Sequence, residues 1–135
     1  MAGLKDAGHT EDDPNTPVPL LVLAACSIDS TAGTTRLSGE LHINIKPGSL
    51  ASRIYQQSEI TEKFNCNYEL NPVYRGKLEA AGLKVSGESD NGGARIIELS
   101  GFRFFLATGF LPQLSSDATH PHPLIMAYLE AAANI

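Results

Sequence analysis

Residues 71–99 read NPVYRGKLEAAGLKVSGESDNGGARIIEL, and this stretch decides the fold class. Asn71 offers a side-chain acceptor to the free amides of a first helical turn, and Pro72 supplies the φ that such a turn needs, so a helix starts here. Gly82 closes it about three turns later. Val73, Tyr74, Leu78 and Ala81 are expected to form its buried stripe. Leu83 to Gly87 and Ala94 to Leu99 are strand-like runs on either side of Asp90-Asn91-Gly92-Gly93, whose residues tolerate the positive φ of a hairpin turn. A helix leading straight into a hairpin predicts an α/β chain with a mixed, mostly-β sheet and short flanking helices.

The elements on either side agree with that reading. Glu40 to Lys46 alternates, Leu41, Ile43 and Ile45 against His42, Asn44 and Lys46, and Pro47-Gly48 ends the strand. Ser49 can cap a short helix through Tyr55. Ile60 to Leu70 alternates again and is read as one strand with polar groups on both faces. Val18 to Ala25 is a continuous apolar run, which suggests a strand buried on both sides, and 27–39 reads as a hairpin connection. Phe102 to Phe110 is expected to be a further strand whose phenylalanines (Phe102, Phe104, Phe105, Phe110) belong to the core. The last helix is predicted over Leu124 to Ala133, with Leu124, Ile125, Tyr128, Leu129 and Ala132 on one face. Residues 1–17 carry loop chemistry, with Pro14, Pro17 and several Asp, and read as a flexible arm on a single domain spanning 1–135.

Composition narrows the function classes. The chain has 135 residues, with 10 Lys+Arg against 15 Asp+Glu for a net charge of −5. One domain can bury a sufficient core at this length. The acidic balance and the lack of a basic run argue against a nucleic-acid surface. Cys26 and Cys66 are too few for a disulfide scaffold and lack the paired spacing of a structural zinc site. His120 and His122 are spaced for a metal only if a third ligand arrives from elsewhere, and the prolines around them suit a rigid loop. No metal or other cofactor is therefore expected. The N-terminus is not expected to be a signal peptide, and Leu20 to Cys26 is far too short to span a bilayer. A soluble cytoplasmic protein is expected.

Several strings carry a family resemblance. EKFNCNYELNP at 62–72, followed by YRGKLEAAGLKVSG, RIIEL, FFLATGFLPQLSS and PHPL, resembles the C-terminal part of the class I glutamine amidotransferase domain of CTP synthase, and small stand-alone proteins related to it. The resemblance implies a partial amidotransferase, flavodoxin-like fold. It also implies a glutaminase built on a Cys nucleophile and a His-Pro-Glu string, because thiolate attack needs a base in reach and the base needs an orienting carboxylate. The aligned string here is Leu111-Pro112-Gln113, which supplies neither base nor carboxylate. The family's RHRYE strand, whose arginine helps hold glutamine, is Asn65-Cys66-Asn67-Tyr68-Glu69 here, and a neutral Asn67 forfeits the charge-assisted contact. Met1-Ala2-Gly3-Leu4 lines up just beyond the helix that follows the family's catalytic Cys. Glutaminase activity is therefore not expected.

The residues that can reuse such a pocket are Cys66 and Glu69 as catalytic candidates, with Asn65, Asn67, Tyr68 and Cys26 as ligand-binding candidates. Cysteine acts near neutral pH only beside a cation or helix N-terminus, and Lys63 and Lys46 are the nearby cations by strand register. Glu69 can serve as a general base if partly buried. The alternative is that both thiols are core hydrophobes and that Glu69 caps a helix entry. Two roles follow. One is a small enzyme or binding protein for a small-molecule ligand. The other is an inert interaction module, homodimeric or completed by a partner chain, because a partial amidotransferase sheet would leave an apolar patch to be covered.

Overall fold

The structure is a computed structural model that describes residues 2–24 and 38–133. Cys26 and most of the expected connection at 27–39 lie outside the described residues. A five-stranded antiparallel sheet has the order β4-β3-β6-β7-β8, and a three-stranded sheet has the order β1-β2-β5. The strands are β1 (Ala7–His9), β2 (Val18–Leu23), β3 (Ser38–Ile45), β4 (Glu59–Asn65), β5 (Tyr68–Leu70), β6 (Leu83–Ser89), β7 (Ala94–Leu99) and β8 (Leu106–Thr108). The helices are α1 (Leu50–Tyr55), α2 (Pro72–Ala80) and α3 (Pro123–Ala133), with a 3-10 turn over Pro112–Ser115. The mixed α/β architecture with short flanking helices is as expected, divided between two sheets.

Local signals place the elements they should. Alternation in β3 puts Ile43 and Ile45 in the core beside Ile60 of β4, Ile96 of β7, Ala51 of α1, Phe110 and Leu124 of α3. Ser49 Oγ accepts the Ser52 amide at 2.9 Å, and Asn71 Oδ1 accepts that of Val73 at 3.0 Å, so both helix starts are capped as predicted. Glu98 reaches across from β7 to take the Leu50 and Ala51 amides at 2.9 and 2.6 Å, which satisfies donors that a helix start leaves open. Residue 87 must be glycine, since a Cβ there would lie 2.7 Å from Ile96 Cγ1 and 3.0 Å from Ile43 Cγ2. Gly87→Ala is expected to lower stability by about 1–3 kcal/mol through overpacking, read as a lower urea midpoint at unchanged slope.

Several expectations are corrected. The alternating run 60–70 is not one strand. β4 ends at Asn65, and β5 pairs with β2 in the other sheet, Leu21 facing Leu70 and Leu23 facing Tyr68. Alternation keeps its parity across Cys66-Asn67, so the break leaves no trace in the pattern. β2 is not buried on both faces, as Leu21 and Leu23 are 36% and 45% exposed. Part of the 1–17 segment forms β1, parallel to β2, instead of a free arm. The strand expected over 102–110 shortens to β8, and of its phenylalanines only Phe110 is fully buried. Phe102 and Phe105 lean on each other in the open, and Phe104 packs on Tyr128. Val73 is 79% exposed and leaves the α2 stripe, while Tyr128 and Leu129 lie exposed on α3. Among the described residues no helix is long and apolar enough to cross a membrane.

Candidate functional site

The turn from β4 into β5 carries the chain from one sheet to the other and sets Cys66 and Asn67 at their junction. Ala24 donates to the Asn67 carbonyl at 2.7 Å and Asn71 donates to the Leu20 carbonyl at 2.9 Å, so main-chain bonds anchor the turn beyond both ends of β5. Two adjoining cavities open there, of about 240 and 300 Å³. Both are lined by Cys66, Tyr68, Thr108 and Gly109. The smaller adds Asn65, Asn67, Glu11 and Leu111, and the larger adds His9, Glu69, Arg95 and Ile97. The five candidates Asn65, Cys66, Asn67, Tyr68 and Glu69 therefore converge on one cleft.

Their local contacts define what each can do. The exposed Cys66 thiol accepts the Tyr68 amide at 3.4 Å and lies 3.8 Å from the Tyr68 carbonyl. Neither Lys63 nor Lys46 lines the cleft. Lys46 instead pairs with Glu88 at 3.1 Å, so neither supplies the expected activating cation. Glu69 is mostly buried, and its Oε2 takes the Arg95 guanidinium at 2.9 Å while Arg95 Nε donates to Ser89 Oγ at 3.2 Å. A Cβ on residue 93 would sit 2.8 Å from that same Glu69 oxygen, so Gly93 lets the turn close over the pair. Glu69 is thus held in an ion pair, an arrangement suited to shaping the cleft.

Sequence reasoning missed two residues of the cleft, His9 and Arg95, and one buried contact elsewhere, that of His122. His9 packs against Tyr68 with ring centroids 4.5 Å apart and planes tilted by 58°, and its Nδ1 accepts the Glu11 amide at 3.0 Å, which in the neutral ring puts the proton on Nε2. Arg95 appears in the sequence as one hairpin residue among others, and only the fold shows it beneath β5. His122, read as part of a rigid loop, is buried and donates through Nε2 to Glu62 Oε1 at 2.7 Å. Tyr55 donates to the same oxygen at 2.7 Å. No spacing signal joins residues 60 apart in the chain. Among the described residues no group of His, Cys, Asp and Glu is arranged to hold a metal.

Comparison with known proteins agrees with this geometry. No family model matches the chain. The CTP synthase of Sulfurisphaera tokodaii is 39% identical over 137 aligned positions, covering 100% of this chain and 26% of that protein. The CTP synthase of Staphylococcus saprophyticus is 40% identical, covering 99% and 25%. The chain thus spans about a quarter of the length of these curated relatives. Among solved structures, the Trypanosoma brucei CTPS glutaminase domain with bound acivicin superposes at a TM-score of 0.90 with 26% identity, over 99% of this chain and 53% of that one. A Thermoplasma acidophilum protein described as a GMP synthase component shares the fold, with a TM-score of 0.55 at 15% identity. In sequence along its whole length and in fold, the chain matches the glutaminase domain of CTP synthase, a class I glutamine amidotransferase.

Proposed function

We propose that this amidotransferase-like chain does not hydrolyse glutamine and instead holds a small polar metabolite in the cleft around Cys66, as a cytoplasmic binding protein or Cys-dependent enzyme. One observation carries the reading. Leu111 and Asn67 line the same cavity as the Cys66 thiol, and these are the positions where the resemblance puts an imidazole base and a substrate-holding arginine. Leucine cannot take a proton, and a neutral amide holds a carboxylate more weakly than a guanidinium does. His9, on the adjoining cavity, has its acceptor nitrogen occupied by the Glu11 amide and so offers a proton where a base must remove one. What remains is a cleft of neutral amides, a thiol, a tyrosine and the His9 imidazole, with the Glu11 carboxylate on one wall and the Glu69–Arg95 ion pair on another. Such a wall orients a ligand through several hydrogen bonds.

Thiol labelling tests this. Iodoacetamide is expected to modify Cys66 in the folded protein, and at least one compound from a panel of amino acids and nucleosides at millimolar concentration is expected to slow the reaction. Asn67→Ala should remove that protection. Labelling that no compound slows, or protection that survives Asn67→Ala, overturns the ligand reading.

A second reading, an inert module that pairs with another chain or with itself, draws on the apolar side chains left open at Phe102, Phe105, Met126, Tyr128 and Leu129. Light scattering at micromolar concentration separates the two. A dimer that Leu129→Glu dissociates supports self-pairing, and a monodisperse monomer removes self-pairing.

A further inference from the structure

A larger cavity, of about 480 Å³, lies on the opposite side of β7 from the Cys66 cleft. Ile97 faces the cleft and its neighbour Glu98 faces this cavity, as alternation along a strand requires. The turn from β3 into α1 forms one wall and the paired strands β6 and β7 the other. Three cations line it, Lys46, Arg53 and Lys84, together with the hydroxyl residues Ser49, Ser86 and Ser100.

The two acids on its wall are already engaged. Glu98 gives both carboxylate oxygens to the α1 amides, and Glu79 pairs with Arg75 at 3.1 Å. Lys84 stands directly across the β6–β7 ladder from Glu98, yet the two form no ion pair. Arg53 has no carboxylate partner among the described residues, and its Nη1 donates only to the Gly48 carbonyl at 3.4 Å. Two cations without counter-ions thus face one cavity in a chain whose net charge is −5.

Ser86 gives an independent indication. It is the extra residue where the β6–β7 register slips between Val85 and Gly87, and such bulges re-aim a side chain. It is 2% exposed, and its hydroxyl has no hydrogen-bond partner. A buried hydroxyl without a partner costs stability unless something binds it.

The geometry points to a phosphate-binding site in this cavity, taking inorganic phosphate or the phosphate group of a small ester, with Arg53 and Lys84 as the charged ligands and Ser86 as a hydroxyl donor. Bidentate guanidinium contact and an ammonium point charge are complementary ways of holding a phosphate. The site lies apart from the Cys66 cleft and does not depend on the reading of that cleft.

Amide chemical-shift titration of the full chain with inorganic phosphate, and separately with glycerol 3-phosphate, tests the assignment. Saturable shifts confined to the amides around Arg53, Lys84 and Ser86 are expected with one or both probes. Tighter binding of the ester would show that the ligand brings an organic group. Arg53→Ala and Lys84→Ala should each weaken binding about tenfold, the loss of one charge-assisted contact. Ser86→Ala should weaken binding while leaving the unliganded melting temperature unchanged or higher, which a merely structural serine would not do. Absence of saturable shifts with both probes, or affinity unchanged in Arg53→Ala and Lys84→Ala, overturns the proposal.

Discussion

Replacing Glu62 by alanine is expected to cost about 3–5 kcal/mol, the penalty for stripping one member from a buried, hydrogen-bonded polar group. Glu62 is 4% exposed and His122 is 3% exposed, so neither finds water when the other leaves. One carboxylate oxygen accepts both the Tyr55 hydroxyl and His122 Nε2. The His122 ring is fixed from its other side, where Nδ1 accepts the Leu124 amide at 3.2 Å. Burial, and then the adjacent Glu62 carboxylate, push the Tyr55 phenol above its ordinary pKa, so it stays a donor across the working range. Alanine at 62 would therefore strand two donors and open a cavity between β4, α1 and the entry to α3.

Glu62→Gln keeps an acceptor in place and is expected to lose only about 1 kcal/mol, the scale of one weakened neutral hydrogen bond. Urea denaturation followed by circular dichroism gives both numbers. A Glu62→Ala loss no larger than that of Glu62→Gln would show that the trio does not hold the helices onto the sheet. Total stability of a domain this size is about 5–15 kcal/mol, so Glu62→Ala can leave the chain largely unfolded, and the milder variant then carries the comparison.

Arg95→Ala is expected to cost about 3–5 kcal/mol, because it removes the guanidinium that meets the mostly buried Glu69 carboxylate at 2.9 Å. Arg95 is 7% exposed and Glu69 11%, and their contact ties β7 of the large sheet to β5 of the small one. The pair thus closes the junction on which the Cys66 cleft is built. Arg95→Ala combined with Glu69→Leu should recover part of the loss, since two apolar groups leave no stranded charge. Thermal melts of the two single variants and the double variant measure the coupling. Additive losses in the double variant would show that the two side chains act independently and that the junction is held elsewhere.

What the sequence displayed well was local. The strand at Leu41, Ile43 and Ile45, the caps at Ser49 and Asn71, and the hairpin around Asn91-Gly92 each depend on neighbours a few residues away, and each appears where its pattern says. The division at Cys66-Asn67 depends on β5 finding β2, a pairing between segments nearly fifty residues apart, and no short-range pattern carries it. The same holds for Arg95 beneath Glu69 and for His122 against Glu62. The apolar character of Phe102, Phe105 and Leu129 was plain, but burial depends on what stands opposite, and these side chains stay 60%, 39% and 51% exposed. The candidate site was legible as a string of residues because they lie in one turn. Its opposing wall of His9, Arg95, Thr108 and Leu111 comes from other parts of the chain and was not.

We propose no glutamine hydrolysis because Leu111 and Asn67 stand beside the Cys66 thiol, where that reaction would need a base and a cation. Ammonia release from glutamine, followed by a coupled glutamate dehydrogenase assay on the folded chain alone, tests it most directly. No release above the buffer blank is expected, with the same trace for Cys66→Ser. Glutamine-dependent ammonia that Cys66→Ser abolishes would contradict it.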